Sequence, residues 1–123
     1  MSCLFCNMAS SRVISENDLA YTIYDGFPVT EYHCLVIPKR HAATYFDLTP
    51  EERSASHILL VEMREQIQHQ DLSVDGFNVG TNNGESAGQT VFHCHIHLIP
   101  RRTGDIANPR GGVRGVIPDK QQY

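Results

Sequence analysis

The stretch QTVFHCHIHLIP, residues 89–100, places His93, His95 and His97 on alternate positions, with Cys94, Ile96 and Leu98 between and after them. No other feature of the chain constrains its fold as strongly. A helix turns by about 200° over two residues and would scatter the three rings, whereas a strand sends alternate side chains to one face. The alternation predicts a strand with an apolar underside on a core and a row of imidazoles above it. Pro100, which has no N–H for a ladder, is expected to end the strand. Three readings fit such a row. It is a polar, solvated sheet face, or a metal cluster, since imidazoles at i and i+2 of a strand can share zinc, or a nucleophilic site built on a neutral imidazole. Three rings in register fit the first reading poorly.

The rest of the pattern is that of one domain. A chain of 123 residues is long enough for its own core. Residues 3–9, CLFCNMA, read as one helical turn, and strands are expected over 13–15 and 19–24 around the turn Glu16-Asn17-Asp18. Residues 32–37, YHCLVI, are nearly all apolar, as in a central strand that ends at Pro38. Thr49-Pro50-Glu51-Glu52 supplies an N-cap, a proline at N1 and a glutamate at N3, so a helix is expected from there to about Gln68. Ala55, Ile58, Leu59, Glu62, Met63 and Ile67 form its expected buried stripe. A strand over 74–80 and a polar loop, NNGESAG, lead into the histidine strand. The fold class is α+β with a mostly antiparallel sheet.

Net charge is −4, yet five of the ten Lys and Arg residues (Arg101, Arg102, Arg110, Arg114 and Lys120) fall in the last 23 positions. That leaves residues 101–123 at +3 and the first 100 residues at −7. An acidic body argues against nucleic-acid binding. The basic, Gly-rich tail, residues 103–123, either attracts one small polyanion beside a site or is a solvated appendage. No run is apolar enough to span a membrane and no export signal precedes the first cysteines, so a cytoplasmic protein with reduced thiols is expected. Cys3-Leu-Phe-Cys6 has the spacing of a metal knuckle; the plain alternative is two free thiols, because a redox pair needs a thioredoxin-like context that this chain does not have. Cys34 and Cys94 are expected in the core, and His57 and His69 on the surface.

HCHIHLI resembles the His-φ-His-φ-His-φ-φ signature (φ apolar) of the histidine triad (HIT) superfamily. HCLVIPKRH, residues 33–41, is similar to the family's H-x-L-V-x-P-x-x-H segment. NNGESAGQT, residues 82–90, is similar to its phosphate loop, and Asp25 stands where the family has a ribose-contacting acid. The resemblance covers about residues 3–102, so a HIT domain is expected over 1–102. It implies a five-stranded antiparallel sheet with one long and one short helix, usually paired as a homodimer.

It also implies a function: hydrolysis at the α-phosphate of a purine nucleotide through a covalent nucleotidyl-histidine on His95. His97 and His33 would assist, and Asp25, Asn82, Gly88, Gln89 and Thr90 would hold the nucleotide, with Leu4, Phe5 or Ile23 near the base. His97 stands where the transferase branch typically has glutamine, which favours a hydrolase. The RRTGD run and the basic tail point to dinucleoside polyphosphates such as diadenosine tetraphosphate. Nucleoside phosphoramidates, or purine-nucleotide binding without catalysis by a regulatory partner, are the alternatives. Some relatives hold a structural zinc with a cysteine pair and two histidines, here Cys3, Cys6, His41 and His93, a closed set separate from the chemistry. A catalytic zinc on the triad is disfavoured because the sequence offers no nearby carboxylate for a metal-bound water.

Overall fold

The computed structural model describes residues 3–123. Strands β1 (Val13–Glu16), β2 (Ala20–Tyr24), β3 (Cys34–Pro38), β4 (Val74–Gly80) and β5 (Ile96–Arg102) and one helix, α1 (Pro50–Gln70), carry the fold. The strands form one antiparallel sheet in the order β1-β2-β3-β5-β4. The apolar run of β3 sits at its centre and is buried along its whole length. Asn17 sets the first hairpin: its Oδ1 accepts the N–H groups of Leu19 and Ala20, and its Nδ2 donates to the Ala55 carbonyl of α1. The short helix expected at CLFCNMA is a single turn, with the Asn7 N–H on the Cys3 carbonyl.

The two-residue period sorts the side chains. Ala20, Val36, Cys34, Ile96 and Leu98 face α1, against Leu59, Met63 and Ile67. Tyr21, Ile23, Leu35 and Ile37 face the other way, against Phe5 of the N-terminal segment. The face opposite α1 is therefore roofed only in part, and His97, paired with Leu35, lies there.

At the start of α1, the Thr49 hydroxyl accepts the Glu52 N–H at 3.1 Å while Glu52 Oε1 accepts the Thr49 N–H at 2.8 Å, the expected capping box. The helix runs two residues past its expected end, and its phase differs from the expected stripe. Glu52, Ser56, Leu59, Met63 and Ile67 are buried, whereas Ile58 is 51% exposed and Glu62 lies outside. Packing of Leu59, Met63 and Ile67 on the sheet fixes that rotation, and Glu52 enters the buried set because Arg40 meets its carboxylate with two 2.8 Å hydrogen bonds.

Arg40 and the cap hold the Glu52 carboxyl at about 2, below its ordinary value. A depressed carboxyl contributes stability at pH values above its unfolded-state pKa, and that contribution is lost as pH falls from about 4.5 toward about 2. Glu52→Ala is expected to cost about 2 kcal/mol at neutral pH, combining a lost cap with lost charge-assisted bonds. Urea titrations at pH 7 and pH 3 check this: the wild-type advantage over the variant should shrink at the lower pH.

The histidine segment is not a strand throughout. β5 begins only at Ile96, so His97 alone of the three lies on it, while His93 and His95 precede it in irregular backbone. His93 is fully buried rather than part of a solvated row. The chain turns away where β3–β5 pairing stops at Val36 and Ile96, and the Cys94 N–H bonds the Ala42 carbonyl instead. Pro100 does not end the strand, which continues to Arg102 with Pro100 opposite Phe77. Its carbonyl points beyond the end of β3 and accepts the Thr30 hydroxyl at 2.6 Å. The ring nitrogen faces the same side as that carbonyl, so the missing donor costs the β4 ladder nothing.

Candidate functional site

His95 sits where the irregular segment meets β5. Its Nδ1 lies 2.8 Å from the His93 carbonyl, and since a carbonyl can only accept, the ring proton is on Nδ1 and the Nε2 lone pair is free. The backbone is held at the same point, because the Thr81 hydroxyl donates to the His95 carbonyl at 3.0 Å. Phe5 packs edge-on against the ring, with centroids 5.0 Å apart.

A second chain of bonds fixes His33 and His97. The Val29 N–H donates to His33 Nδ1 at 3.0 Å, which puts the His33 proton on Nε2. That N–H reaches His97 Nδ1 at 2.9 Å, so His97 carries its own proton on Nε2. The site thus holds one ring with a free lone pair and, beside it, one with a free N–H; the His95 and His97 centroids are 5.4 Å apart. Burial lowers the pKa of both His33 and His97, against the opposing pull of Asp25, and the charges of His33 and His95 lower His97 further. Neutral imidazoles at neutral pH follow.

Asp25 Oδ2 lies 3.4 Å from His33 Nε2 and 3.8 Å from His97 Nδ1. The expectation that no carboxylate lies near the triad is therefore corrected: Asp25 is distant in sequence but its carboxylate closes on the rings. Asp25, His33 and His97 group closely enough to hold a cation. Yet the Val29 N–H on Nδ1 keeps a proton on His33 Nε2, the atom that would have to ligate.

A cavity of about 430 Å³ opens beside these rings. Asp25, His33, His95, His97, Asn82, Gly88 and Thr90 of the expected residues line it. Leu4, Phe5, Ile23, Leu35 and Val91 make an apolar end suited to a base. Gln89 does not line it: its side chain is buried, accepting the Gly84 N–H and donating to the Ala43 and Val91 carbonyls. The Gly88 and Gln89 N–H groups bond Glu85 and Gly84 carbonyls within the loop, and Gly88 has φ +92°, which a side chain rarely adopts. Arg12, which nothing in the sequence singles out, also lines the cavity and reaches the Tyr24 carbonyl at 3.3 Å.

Cys3, Cys6, His41 and His93 converge behind the site, their ligand atoms all within 4.8 Å of one another. His93 Nε2 donates to the Pro38 carbonyl at 2.7 Å, which leaves Nδ1 as the free ligand atom, 3.4 Å from Cys3 Sγ and 3.5 Å from Cys6 Sγ. His41 Nδ1 lies 3.3 Å from Cys6 Sγ. Two sulfurs and two imidazole nitrogens, one oriented by an outer carbonyl, are a donor set that fits zinc. Cys34 and Cys94 are buried thiols pushed up to about 12 and about 11 by desolvation, inert core residues as expected. His57 and His69 are exposed.

The HIT domain profile matches residues 7–104 of the chain. A 16.1 kDa HIT-like protein of Mycoplasma pneumoniae is 39% identical over 104 residues, covering 81% of this chain and 72% of its own. An adenylylsulfatase of Arabidopsis thaliana is 35% identical over 107 residues, 84% of this chain and 54% of its own. A zinc-bound histidine triad family protein of Mycobacterium smegmatis superposes with a TM-score of 0.78 at 37% identity, over 88% of this chain and 81% of that one.

Proposed function

The chain belongs to the HIT family, and from that premise we propose that it is a nucleotidyl hydrolase working through a covalent intermediate on His95. The observation that carries this reading is the hydrogen bond from His95 Nδ1 to the His93 carbonyl. It fixes the tautomer a nucleophile needs, with the Nε2 lone pair free in a cavity of nucleotide size. In the first step that lone pair attacks the α-phosphorus, and the bond to the leaving group breaks with its electron pair. A phosphate leaves as the anion, with the His97 Nε2 N–H donating to a phosphoryl oxygen; an amine leaves after taking a proton that solvent has first placed on the His97–His33 pair, which returns that pair to its neutral form. Water then attacks phosphorus, the phosphorus–Nε2 bond returns its pair to the ring, and one proton of that water stays on the new phosphate oxygen while the other passes to solvent through the His97–His33 pair. His33 positions His97, and Asp25, Asn82 and Thr90 hold the nucleotide.

The sequence ranks dinucleoside polyphosphates first on the strength of the basic tail. In the structure, Arg110 and Arg114 lie over the Tyr123 ring, 4.5 and 4.8 Å from its centroid, Arg101 pairs with Asp105 and Arg102 with Asp71. Two of the five cations of residues 101–123, Arg101 and Arg102, are thus committed to carboxylates, which leaves less positive charge for a polyphosphate and favours the phosphoramidate reading. The homodimer is an inference from kinship, to be tested by light scattering.

Rapid quenching of wild-type protein with an α-³²P-labelled adenosine phosphoramidate, followed by peptide mapping, should place acid-labile label on His95. Turnover with no label on any histidine at the earliest quench times would sink the covalent route.

A further inference from the structure

The cavity beside the histidines contains one cation that the hydrolytic steps do not use. Arg12 is the only Lys or Arg among the described residues lining it. Strand register puts it there. Val13 pairs with Ile23 at the start of β1, so the residue before Val13 falls beside Tyr24, one step from Asp25. The Arg12 guanidinium donates to the Tyr24 carbonyl at 3.3 Å, the one hydrogen bond of this side chain among the described residues. A Cβ on Gly26 would have Arg12 Nη2 as its nearest neighbour outside the adjoining residues, at 3.9 Å. The guanidinium therefore lies over the Asp25–Gly26 segment that follows β2.

No described group neutralises this charge. Lys39 pairs with Glu16, Arg40 with Glu52, Arg101 with Asp105 and Arg102 with Asp71, and Arg12 takes part in none of these pairs. Asp25 has other partners: its Oδ1 accepts the Phe27 N–H at 2.8 Å, and its Oδ2 faces His33 Nε2 at 3.4 Å. The first 100 residues carry a net −7, so an exposed, unpaired guanidinium on a cavity wall stands out as an anion contact.

Position decides which anion it meets. The α-phosphate must reach His95 Nε2, and the base suits the apolar end at Phe5 and Ile23. The ribose joins the two and lies against Asp25. Its remaining substitutable atoms are the 2′ and 3′ oxygens, which emerge at Asp25 and Gly26, beside Arg12.

We propose that Arg12 is a specificity residue for a phosphate on the 2′ or 3′ oxygen of the ribose. The substrate class is then a nucleotide phosphorylated on its sugar as well as at the scissile α-phosphate. The proposal rests on the nucleotide reading of the cavity. A guanidinium presents a planar fork that takes two oxygens of one phosphate. Without it, a second phosphate would face the Asp25 carboxylate with no cation between them and be repelled.

Calorimetric titration of the full chain with AMP, adenosine 2′,5′-bisphosphate and adenosine 3′,5′-bisphosphate tests this, in the wild type, Arg12→Gln and Arg12→Lys. None of these ligands has a leaving group on the α-phosphate, so binding is read without turnover. At least one bisphosphate should bind the wild type about fivefold more tightly than AMP, the scale of a solvent-screened ion pair. The preferred isomer identifies the ribose oxygen. In Arg12→Gln the ratio should fall to one or below, and Arg12→Lys, which keeps the charge and loses the fork, should lie between. Raising salt from about 50 to about 300 mM should shrink the wild-type ratio. Circular dichroism checks that each variant is folded. Bisphosphates that bind no tighter than AMP, or a preference that Arg12→Gln leaves intact, overturn the proposal. Failure of all three ligands to bind the wild type is a separate result, which overturns the nucleotide reading and the proposal with it.

Discussion

His95→Ala is expected to lower turnover of an adenosine phosphoramidate by about four orders of magnitude or more, while leaving the fold intact and nucleotide binding within a few-fold. The size follows from the chemistry: no other group in the cavity combines a free imidazole lone pair with access to phosphorus. His97 has its lone pair on Nδ1 and spends it on His33, and His33 spends its own on the Val29 N–H. The ring is not a structural member either. His95 is only partly buried, and its bond to the His93 carbonyl is one that solvent can replace. His97→Ala should be milder, about 10²-fold, because it removes a proton donor and an anion contact but no bond to phosphorus. Steady-state kinetics with calorimetric titration of AMP, carried out on both variants, separates these outcomes. A His95→Ala protein that retains even a tenth of wild-type turnover would refute nucleophilic catalysis at this position. Tight AMP binding with no turnover by the wild type would instead favour a regulatory nucleotide-binding role.

Much of this site was legible in the sequence because it is encoded by short-range periods. The two-residue alternation holds over Ile96, His97 and Leu98, which lie on β5, and the capping box at Thr49 marks the start of the helix. The departures all come from contacts between distant segments. Nothing local says that β3 and β5 part company at Val36 and Ile96, and alternation alone starts the strand too early and leaves His93 too exposed. Nothing local brings the Asp25 carboxylate to His33 and His97, or turns the Gln89 amide into its own loop. The helix stripe was drawn from hydropathy alone, yet a buried Glu52–Arg40 pair is a matter of partners, not of apolarity. The contacts of residues 101–123 are equally out of reach of local pattern: Arg102 meets Asp71, Arg101 meets Asp105, and Arg110 and Arg114 lie over Tyr123.

We propose that Cys3, Cys6, His41 and His93 hold a structural zinc, so that chelation is expected to lower the melting temperature by about 15 °C without a separate, faster loss of activity. A ligand at about 1,000 times its Kd stabilises the folded state by about 4 kcal/mol. For a domain of this size each kcal/mol is worth roughly 4 °C. The location explains why the effect should be large. Cys3 and Cys6 belong to the N-terminal segment, His41 follows β3 and His93 precedes β5, so one ion would join three segments remote in sequence. Loss of such an ion would free Phe5, which lies between Cys3 and Cys6, and with it the edge-on contact against His95. A closed set of four protein ligands leaves no position for substrate, so chelation should act through unfolding. Differential scanning fluorimetry with and without a chelator, beside zinc analysis of the purified protein, reads the effect, and His41→Ala should reproduce it without chelator. An unchanged melting temperature in a protein shown to contain zinc would remove the structural role. Inhibition that is complete before any loss of native circular dichroism would return the metal to the chemistry.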